Sequence, residues 1–484
     1  MVFVSLPFLC VFFPLCMIFY IFAKDIKKKN IVLLIFSLIF YSWGEPKYVL
    51  LLLFMCAVDW FFALLIGFSD KKIFKQLFLF LACSINIGLI GIFKYANFAV
   101  LNFTNLFNIE TPTLNIILPI GISFYTFQLL SYVIDVYRGD VKAQPKFHIV
   151  LLYASLFHQC IAGPIVRYSD VEQQIMSRRV SIKSVNDGIS RFCIGLTKKA
   201  IVANTSGKLV ESLIVSDTLL NAEEGISVIA SKSAASLWLG MFFFALQIYF
   251  DFSAYSDMAI GMGKMIGFDY KENFNYPYVS RSVSEFWRRW HISLGSFFRD
   301  YVYIPLGGNR KGHFRTYINL FITWGLTGLW HGASWNYIFW GLYFFFFIAL
   351  EKAFLGKYLE KNKIISTVYS LVIAYFGWVL FKFENTSTMF TVLKGMFLLT
   401  GNKITDFETT SVFLSYVFFI IIACACATPL FKNVSKFISL KADGSVIVSV
   451  VWSVITIVSP IILIFISLLN IVGNSYNPFL YFQF

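Results

Sequence analysis

Long apolar runs alternate with short polar connections along most of the chain. The first three runs are Val2 to Phe22, Ile31 to Tyr41 and Tyr48 to Phe68. Further apolar segments lie near 77–93, 118–137, 148–166, 235–262, 316–350, 364–383, 410–430 and 445–471. Because a helix needs about 20 predominantly apolar residues to cross a bilayer, this pattern predicts an all-α, polytopic membrane protein. We expect about 11 spanning helices, with shorter re-entrant or interfacial helices between them.

The composition indicates that a bilayer, and not water, surrounds most of this chain. Of its 484 residues, 58% are hydrophobic and 14% are charged, and the mean hydropathy is +0.72. Soluble domains carry about 25% charged residues, so this chain has too few to cover a water-facing surface. Since there are 57 Phe but only 5 His and 11 Trp, any cluster of His or Trp draws attention.

Lysines in the polar connections predict the orientation. The first apolar run lacks the basic start and the small-residue cleavage site of a secretion signal, so we interpret it as a retained membrane helix. Basic loops stay on the cytoplasmic side, so three such loops are predicted to be cytoplasmic, and the alternation is consistent over the first three crossings. Their lysines are Lys24, Lys27, Lys28 and Lys29, then Lys71, Lys72 and Lys75, and finally Lys432, Lys436 and Lys441. Both termini are therefore predicted to lie outside.

The net charge of +14 is explained by contacts with the membrane and with an acyl donor. Basic residues in short loops attract anionic lipid headgroups, and a basic internal face would suit an acyl donor with phosphates or an acidic carrier protein. The sequence has no RNA- or DNA-binding motif, so nucleic acid is not an expected partner. The cysteines lie mostly in apolar runs, and Cys424 and Cys426 are too close for a standard zinc pair. We expect no metal and no bound cofactor.

Two stretches are too polar to cross lipid easily. Residues 170–230 have an amphipathic pattern with several basic residues, which suggests helices at the inner surface. Residues 264–316 are denser in charge, aromatic residues, Gly and Pro. Irregular backbone at membrane depth is tolerated only inside protein or around a watered cavity. We therefore expect the catalytic core in 264–335, within a single membrane domain that covers 1–484.

The first candidate histidine lies in the polar core. Ser282 and Glu285 form a capping box that predicts the start of a short helix. On that helix Trp287 and His291 are four residues apart and would share one face. His291 also follows two arginines, so it is a candidate for acid–base chemistry.

The second candidate, His331, lies inside an apolar run. A histidine at membrane depth is costly unless it faces a cavity, which makes it a functional candidate. Small residues nearby would let a helix or a thin substrate chain approach; they are Gly325, Gly328, Gly332 and Ala333. Acyl transfer from a thioester to an alcohol needs a base and an oxyanion donor. Neutral histidine can serve as that base, with helix packing as the alternative role of His331. His148, His158 and His313 are weaker candidates.

Several motifs together resemble the membrane-bound O-acyltransferase family, in its bacterial alginate and peptidoglycan O-acetylation branch. The main ones are 285–294 (EFWRRWHISL), 303–308 (YIPLGG) and 328–332 (GLWHG). Supporting motifs are 118–128 (LPIGISFYTFQ), 162–165 (AGPI) and 249–257 (YFDFSAYSD). The resemblance spans most of the chain.

The resemblance implies a ring of about 11 helices around a central funnel, with two histidines near its waist. His331 would be the catalytic histidine and His291 the second, positioning or donor-side histidine. The Trp287, Arg288, Arg289 and Trp290 segment would line the cytoplasmic entrance. The donor would be acetyl-CoA or an acyl thioester on a carrier protein.

Other polar residues are predicted near the substrates. Asp251, Tyr255 and Asp257 lie in a membrane-like run, where they either orient His or Arg side chains or pair structurally with the nearby basic helix. Gln128 either lines the funnel or joins helices by a hydrogen bond. An extended turn and loop is predicted to run from Tyr303 to Asn309. Asn309 is predicted to be one of the substrate- and donor-binding residues. The predicted substrate- and donor-binding set is thus Trp287, Arg288, Arg289, Trp290, Asp251, Tyr255, Asn309 and Gln128.

The chain ends in an aromatic motif, 477–484 (NPFLYFQF). An interfacial aromatic belt is the ordinary interpretation. A free end outside the last helix would alternatively place the phenol of Tyr481 in the external funnel, where it would accept and release an acyl group. The ending resembles the terminal motif of the O-acetylation branch, and that of a partner peptide in teichoic-acid D-alanylation, which implies Tyr481 as a third catalytic residue.

These observations predict a membrane-bound O-acetyltransferase that passes an acyl group from a cytoplasmic thioester to an extracellular or cell-wall polysaccharide. The resemblance implies the bacterial cytoplasmic (inner) membrane and a separate extracytoplasmic partner of the SGNH acetyltransferase or esterase type. Such a partner is expected because the chain shows no hydrolase-like domain of its own. The alternatives are a D-alanyl transfer protein, a lipid or protein acyltransferase of the same family, and a non-catalytic transporter. We find no internal repeat that would favour the transporter.

Overall fold

The computed structural model describes residues 2–109, 114, 116–161, 163–220 and 222–473. These residues form helices and their connections, which confirms the predicted all-α class. They divide into two compact units, one from Met1–Phe192 and Tyr255–Glu272, the other from Cys193–Ala254 and Asn273–Phe484. The single domain over 1–484 stays a prediction.

The first unit contains the N-terminal helices. Asp25 begins one of them, because its carboxylate accepts a hydrogen bond from the Lys28 amide at 2.9 Å. Gly139, at φ +83°, ends another. The α-helices are Phe13–Phe22, Ile26–Gly44, Val49–Phe68, Lys72–Ile90, Ala96–Phe107, Ile122–Arg138, Phe147–Ser155, Phe157–Cys160 and Tyr168–Met176, with π-helical segments at Phe8–Phe12 and Gly91–Tyr95.

Two helices contribute residues to both units, namely Ile182–Thr197 and Ala234–Ile266. The remaining α-helices belong to the second unit: Asn204–Leu213, Glu223–Ser231, Val283–Arg289, Ile292–Phe298, His313–His331, Trp335–Leu350, Gly356–Leu359, Lys363–Lys382, Thr386–Met396, Phe407–Cys426, Leu430–Ala442 and Val446–Gly473. Its shorter segments are π-helical at Lys198–Ala203, Arg299–Tyr303 and Glu351–Leu355, and 3-10 helical at Asp217–Leu219 and Pro277–Val279.

Seven helices among the described residues are long and apolar enough to cross a membrane. They are Val49–Phe68, Lys72–Phe107, Ala234–Ile266, Trp335–Leu359, Lys363–Lys382, Phe407–Cys426 and Val446–Gly473. The N-terminal apolar helix, Phe8–Phe22, is shorter than the predicted run. The prediction of several apolar crossings is confirmed, while the count of eleven stays a prediction.

Two predicted apolar segments are broken in the structure. In 148–166 the helix ends at Ser155, because Leu156 has ψ 114°, outside the helical region. In 316–350 the run is divided at Gly332, which has extended backbone at φ −178° and ψ 161°. Hydrophobicity continues through both breaks, so the apolar pattern alone did not predict them.

The structure corrects the interpretation of one basic residue in 170–230. Lys199 is only 2% exposed, and its amine forms a 2.6 Å ion pair with Asp251, which is equally buried. Lys199 lies in the π-helical segment Lys198–Ala203, and Asp251 lies in the apolar helix Ala234–Ile266. The two residues belong to the second unit. A lysine expected on a surface helix is therefore an internal counter-ion for an aspartate in a membrane helix.

Candidate active site

His331 lies at a helix end, next to closely packed glycines. His331 is the last residue of the helix His313–His331, and its side chain is buried. This helix packs tightly against Trp335–Leu350: a Cβ on Gly328 would lie 2.3 Å from the Tyr337 carbonyl oxygen. A Cβ on Gly332 would lie 2.2 Å from the Tyr337 ring. The predicted role of small residues is thus confirmed at Gly328 and Gly332.

His291 lies at a break between two short helices, not on one helix face with Trp287. The helix Val283–Arg289 ends before His291, and Ile292–Phe298 begins after it. His291 itself has left-handed backbone, with φ 44° and ψ 55°, which costs about 1–2 kcal/mol for a residue with a Cβ. The prediction from four-residue spacing is therefore wrong, because it assumed an unbroken helix.

Trp330 contacts both candidate histidines. Its ring centroid lies 5.8 Å from that of His291 and 4.9 Å from that of His331, each in an edge-on arrangement. The His331 ring also packs edge-on against Trp340 at 4.8 Å and against Phe381 at 5.4 Å. The second unit thus brings together two histidines that are forty positions apart in the sequence.

A cavity of about 470 Å³ lies beside the histidines. His291, Trp287 and Arg288 line it. His331 is not among its lining residues, whereas Thr327, one helical turn earlier, is. The sequence analysis missed several lining residues, since their types are ordinary in a membrane helix or loop: Arg299, Tyr303, Thr323, Trp324 and Thr327.

The four residues of the predicted 287–290 segment lie in different surroundings. Trp287 and Arg288 line the cavity, whereas Arg289 and Trp290 do not. Arg289 forms an ion pair with Glu285 at 2.8 Å, and Trp290 is buried in the aromatic core. Arg288 and Arg289 differ because adjacent residues point in different directions around a helix, and Trp290 lies after the helix end with extended backbone.

The helix that carries Trp287 and Arg288 is fixed at its start. The Ser282 hydroxyl accepts a hydrogen bond from the Glu285 amide at 2.9 Å, which confirms the predicted cap. The buried carboxylate of Glu351 accepts hydrogen bonds from the Val283 amide at 2.5 Å and the Ser284 amide at 3.0 Å. An anion at a helix N-terminus satisfies amides that lack helical partners. Glu351 is a supporting residue that the motif did not indicate.

Ionisation of His291 is opposed by its surroundings. Burial lowers the pKa of His291 to about 3, because an imidazolium loses hydration in an apolar environment. The ring is therefore neutral at pH 7. Its Nδ1 lies 3.2 Å from the side-chain oxygen of Asn273.

The other predicted residues that the structure describes do not line this cavity. Asp251 takes part in the buried ion pair with Lys199, so a structural pairing is present. Asn309 is exposed and does not line the cavity. Gln128 and Tyr255 are buried in the first unit. Tyr481 and the rest of 477–484 lie outside the described residues, so their predicted role stays a prediction.

Comparison with known proteins identifies the class. A model of the membrane-bound O-acyltransferase family matches residues 142–359. The probable alginate O-acetylase AlgI of Pseudomonas putida is 35% identical, with 100% of each chain covered. The peptidoglycan O-acetyltransferase of Helicobacter pylori is 32% identical, covering 96% of this chain and 93% of that protein. The chain therefore belongs to the membrane-bound O-acyltransferase family.

Within that family the chain is a multi-pass membrane O-acetyltransferase. The teichoic acid D-alanyltransferase of Bacillus subtilis is more distant, at 28% identity over 56% of this chain and 70% of that protein. O-Acetylating relatives instead match this chain almost end to end. The predictions of an enzyme, of the family and of its O-acetylation branch are thus confirmed over the transporter alternative.

The glycine packing beside His331 gives a testable prediction. Gly328→Ala should reduce stability by about 1–3 kcal/mol, because overpacking forces the two helices apart, and it should also lower acetyl transfer. Gly325→Ala is the matched control, since a Cβ there meets nothing within 4 Å. That control should be neutral or stabilising by up to about 1 kcal/mol. Thermal unfolding in detergent, together with acetylation at equal protein level, distinguishes them; equal effects of both variants would contradict the packing argument.

Proposed function

We propose that this protein carries an acetyl group from a cytoplasmic thioester to the hydroxyl groups of an extracellular or cell-wall polysaccharide. The observation that carries the proposal is the arrangement of His291 and His331 around Trp330, beside a cavity with Arg288 and Arg299 in its wall. The names of these two relatives add alginate and peptidoglycan as examples of the acceptor class.

His331 is proposed as the general base. It takes the proton of the attacking hydroxyl while that oxygen forms a bond to the thioester carbonyl carbon. When the tetrahedral intermediate collapses, the C–S bond breaks and the sulfur leaves as a thiol with the proton from His331. His291 is proposed to orient the reacting groups as a neutral ring.

Trp340 is a proposed donor to the oxyanion. Its indole N–H is buried beside His331 and has no hydrogen-bond partner within the described part of the chain. A buried donor without a partner is costly, and a developing oxyanion would satisfy it. The ring lies against His331 at 4.8 Å, close enough for both groups to act on one substrate.

The donor is proposed to enter from the cytoplasm. Arg288 and Arg299 would pair with phosphate groups of acetyl-CoA or of an acyl carrier protein, because guanidinium binds phosphate well. The lysine-rich loops support this side as the interior, and both termini are proposed to lie outside a bacterial cytoplasmic membrane. Lipid headgroups would contact the same loops.

On the outer side, Tyr481 is proposed to carry the acetyl group as a phenyl ester. Transfer from the phenol to polysaccharide would then be completed by a separate SGNH-type protein. A phenol, with a pKa of about 10, is a better leaving group than a sugar hydroxyl. Such an ester would conserve the reactivity of the thioester across the membrane.

Intact-mass measurement of the purified protein tests this proposal. After incubation with isotopically labelled acetyl-CoA, or with acetylated carrier protein, wild type should gain one acetyl mass and Tyr481→Phe should not. Tyr416→Phe is a matched control and should gain the label like wild type. A label on Tyr481→Phe equal to that on wild type would overturn the role of Tyr481 as acyl carrier. If wild type gains no label from either donor but polymer acetylation is intact, the acetyl group is transferred directly to the acceptor.

A further inference from the structure

A buried asparagine makes hydrogen bonds around His291. Asn273 is fully buried, and its backbone oxygen accepts a hydrogen bond from the Ile292 amide at 2.9 Å. Its side-chain oxygen accepts from the Ser293 amide at 3.1 Å and from the Ser293 hydroxyl at 2.9 Å. The same oxygen lies 3.2 Å from His291 Nδ1. Asn273 thus contacts both the backbone that follows His291 and the ring of His291.

These contacts determine which nitrogen of His291 carries its proton. A backbone amide can only donate, so the Asn273 atom facing the Ser293 amide must be the oxygen and not the nitrogen. That oxygen can only accept, so Nδ1 of His291 must be the donor. A neutral imidazole has one N–H, which leaves the lone pair on Nε2. The Ser293 hydroxyl, 3.4 Å from Nδ1, already donates to Asn273, so it too can only accept from this ring.

The backbone around His291 is held by the same segment. His291 has the left-handed conformation that residues with a Cβ rarely adopt. Asn273 holds the turn from one side through Ile292, and the Asn275 amide donates to the Arg289 oxygen at 2.9 Å on the other. Strained backbone of this kind persists where its surroundings fix it, often at functional sites.

We propose that Asn273 is a positioning residue that holds His291 in the Nδ1–H tautomer, so that Nε2 acts in the active site as a hydrogen-bond acceptor. An Nε2 lone pair would orient a hydroxyl or thiol proton of the reacting groups, whereas an Nε2–H would not. An amide suits this task better than a carboxylate, because a neutral acceptor orients the ring without stabilising an imidazolium. The inference rests on the proposed role of His291 but concerns a state that is measurable without catalysis.

Nitrogen NMR of the histidines tests the tautomer directly. The full chain, labelled with ¹⁵N-histidine and placed in lipid bilayers, has only five histidines, so a His291→Gln spectrum identifies the signals of His291. At pH 7 wild type should show Nδ1 protonated and Nε2 unprotonated. The reverse tautomer, or an imidazolium, in wild type would overturn the proposal without the need for any other variant.

Asn273→Leu removes the acceptor at similar size and should give a mixed or reversed tautomer for His291. Its turnover should fall at least about tenfold, while KM for acetyl-CoA changes little because Asn273 does not line the cavity. Asn275→Leu is the matched control: Asn275 is exposed and holds the turn only through its backbone, so tautomer and turnover should stay as in wild type. An unchanged tautomer in folded Asn273→Leu would refute the role of Asn273, whereas a changed tautomer with full activity would instead refute the role proposed for His291.

Discussion

Replacing His331 with glutamine is expected to lower acetyl transfer by about 10²–10⁴-fold, the usual contribution of a general base. Glutamine preserves most of the volume between Trp330, Trp340 and Phe381, so the loss should reflect chemistry more than packing. His331→Ala should lose at least as much activity and some stability, because it also leaves a void in the aromatic cluster. Acetyl groups released from polymer by mild base, normalised to the protein level in the membrane, provide the measurement.

The other end of the same helix provides the control for His331. His313 begins the helix His313–His331, and its side chain is exposed. His313→Gln should therefore retain near wild-type acetylation. If His331→Gln acetylates polymer as well as His313→Gln does, at equal membrane level and thermal stability, His331 is not the base.

Breaking the buried ion pair of Lys199 and Asp251 should cause the largest loss of stability. Lys199→Met leaves the Asp251 carboxylate buried without its 2.6 Å counter-ion, and removing one partner of such a pair costs about 3–5 kcal/mol. Asp251→Leu should cost a similar amount, since it leaves the lysine ammonium buried. Unfolding in detergent, followed by tryptophan fluorescence, measures the free energy of unfolding.

A double variant separates the ion pair from general disruption. Lys199→Met combined with Asp251→Leu removes both charges, so it should be more stable than either single variant. The pair between Lys271 and Asp170 provides a comparison, because Lys271 is 77% exposed. Lys271→Met should cost no more than about 1 kcal/mol. This account would be contradicted if the single variants at 199 and 251 lost as little stability as Lys271→Met. It would also be contradicted if the double variant were no more stable than the single variants.

The motif residues indicated the chemistry but not its arrangement. His331 was predicted as a candidate because an ionisable residue is costly at membrane depth, and His291 because it lies in the polar core and follows two arginines. Their shared contact with Trp330 depends on how the second unit folds. The relation of Trp287 to His291 was predicted wrongly, because the four-residue spacing assumed an unbroken helix. In the structure the Ile292 amide donates to the backbone oxygen of Asn273, a partner that no local pattern contains.

The charged residues show the same division. Lys199 was interpreted as part of a surface helix, because its local sequence is amphipathic. Its real environment is set by Asp251, fifty-two positions further on, and no local pattern contains that information. Glu351 likewise supports the start of the Val283–Arg289 helix from a distant position.

The class of this protein, an all-helical membrane chain with the histidine motifs of an O-acyltransferase, could be recognised from the sequence alone. Apolar runs and motifs are local, so they can be recognised without knowing which segments meet. Which motif residues line the cavity depends on the fold, since Trp287 and Arg288 do and Arg289 and Trp290 do not. The fold also brings the side-chain oxygen of Asn273 within 3.2 Å of His291 Nδ1. Burial and hydrogen-bond partners are determined by residues far apart in the chain, and the tautomer of a histidine depends on both.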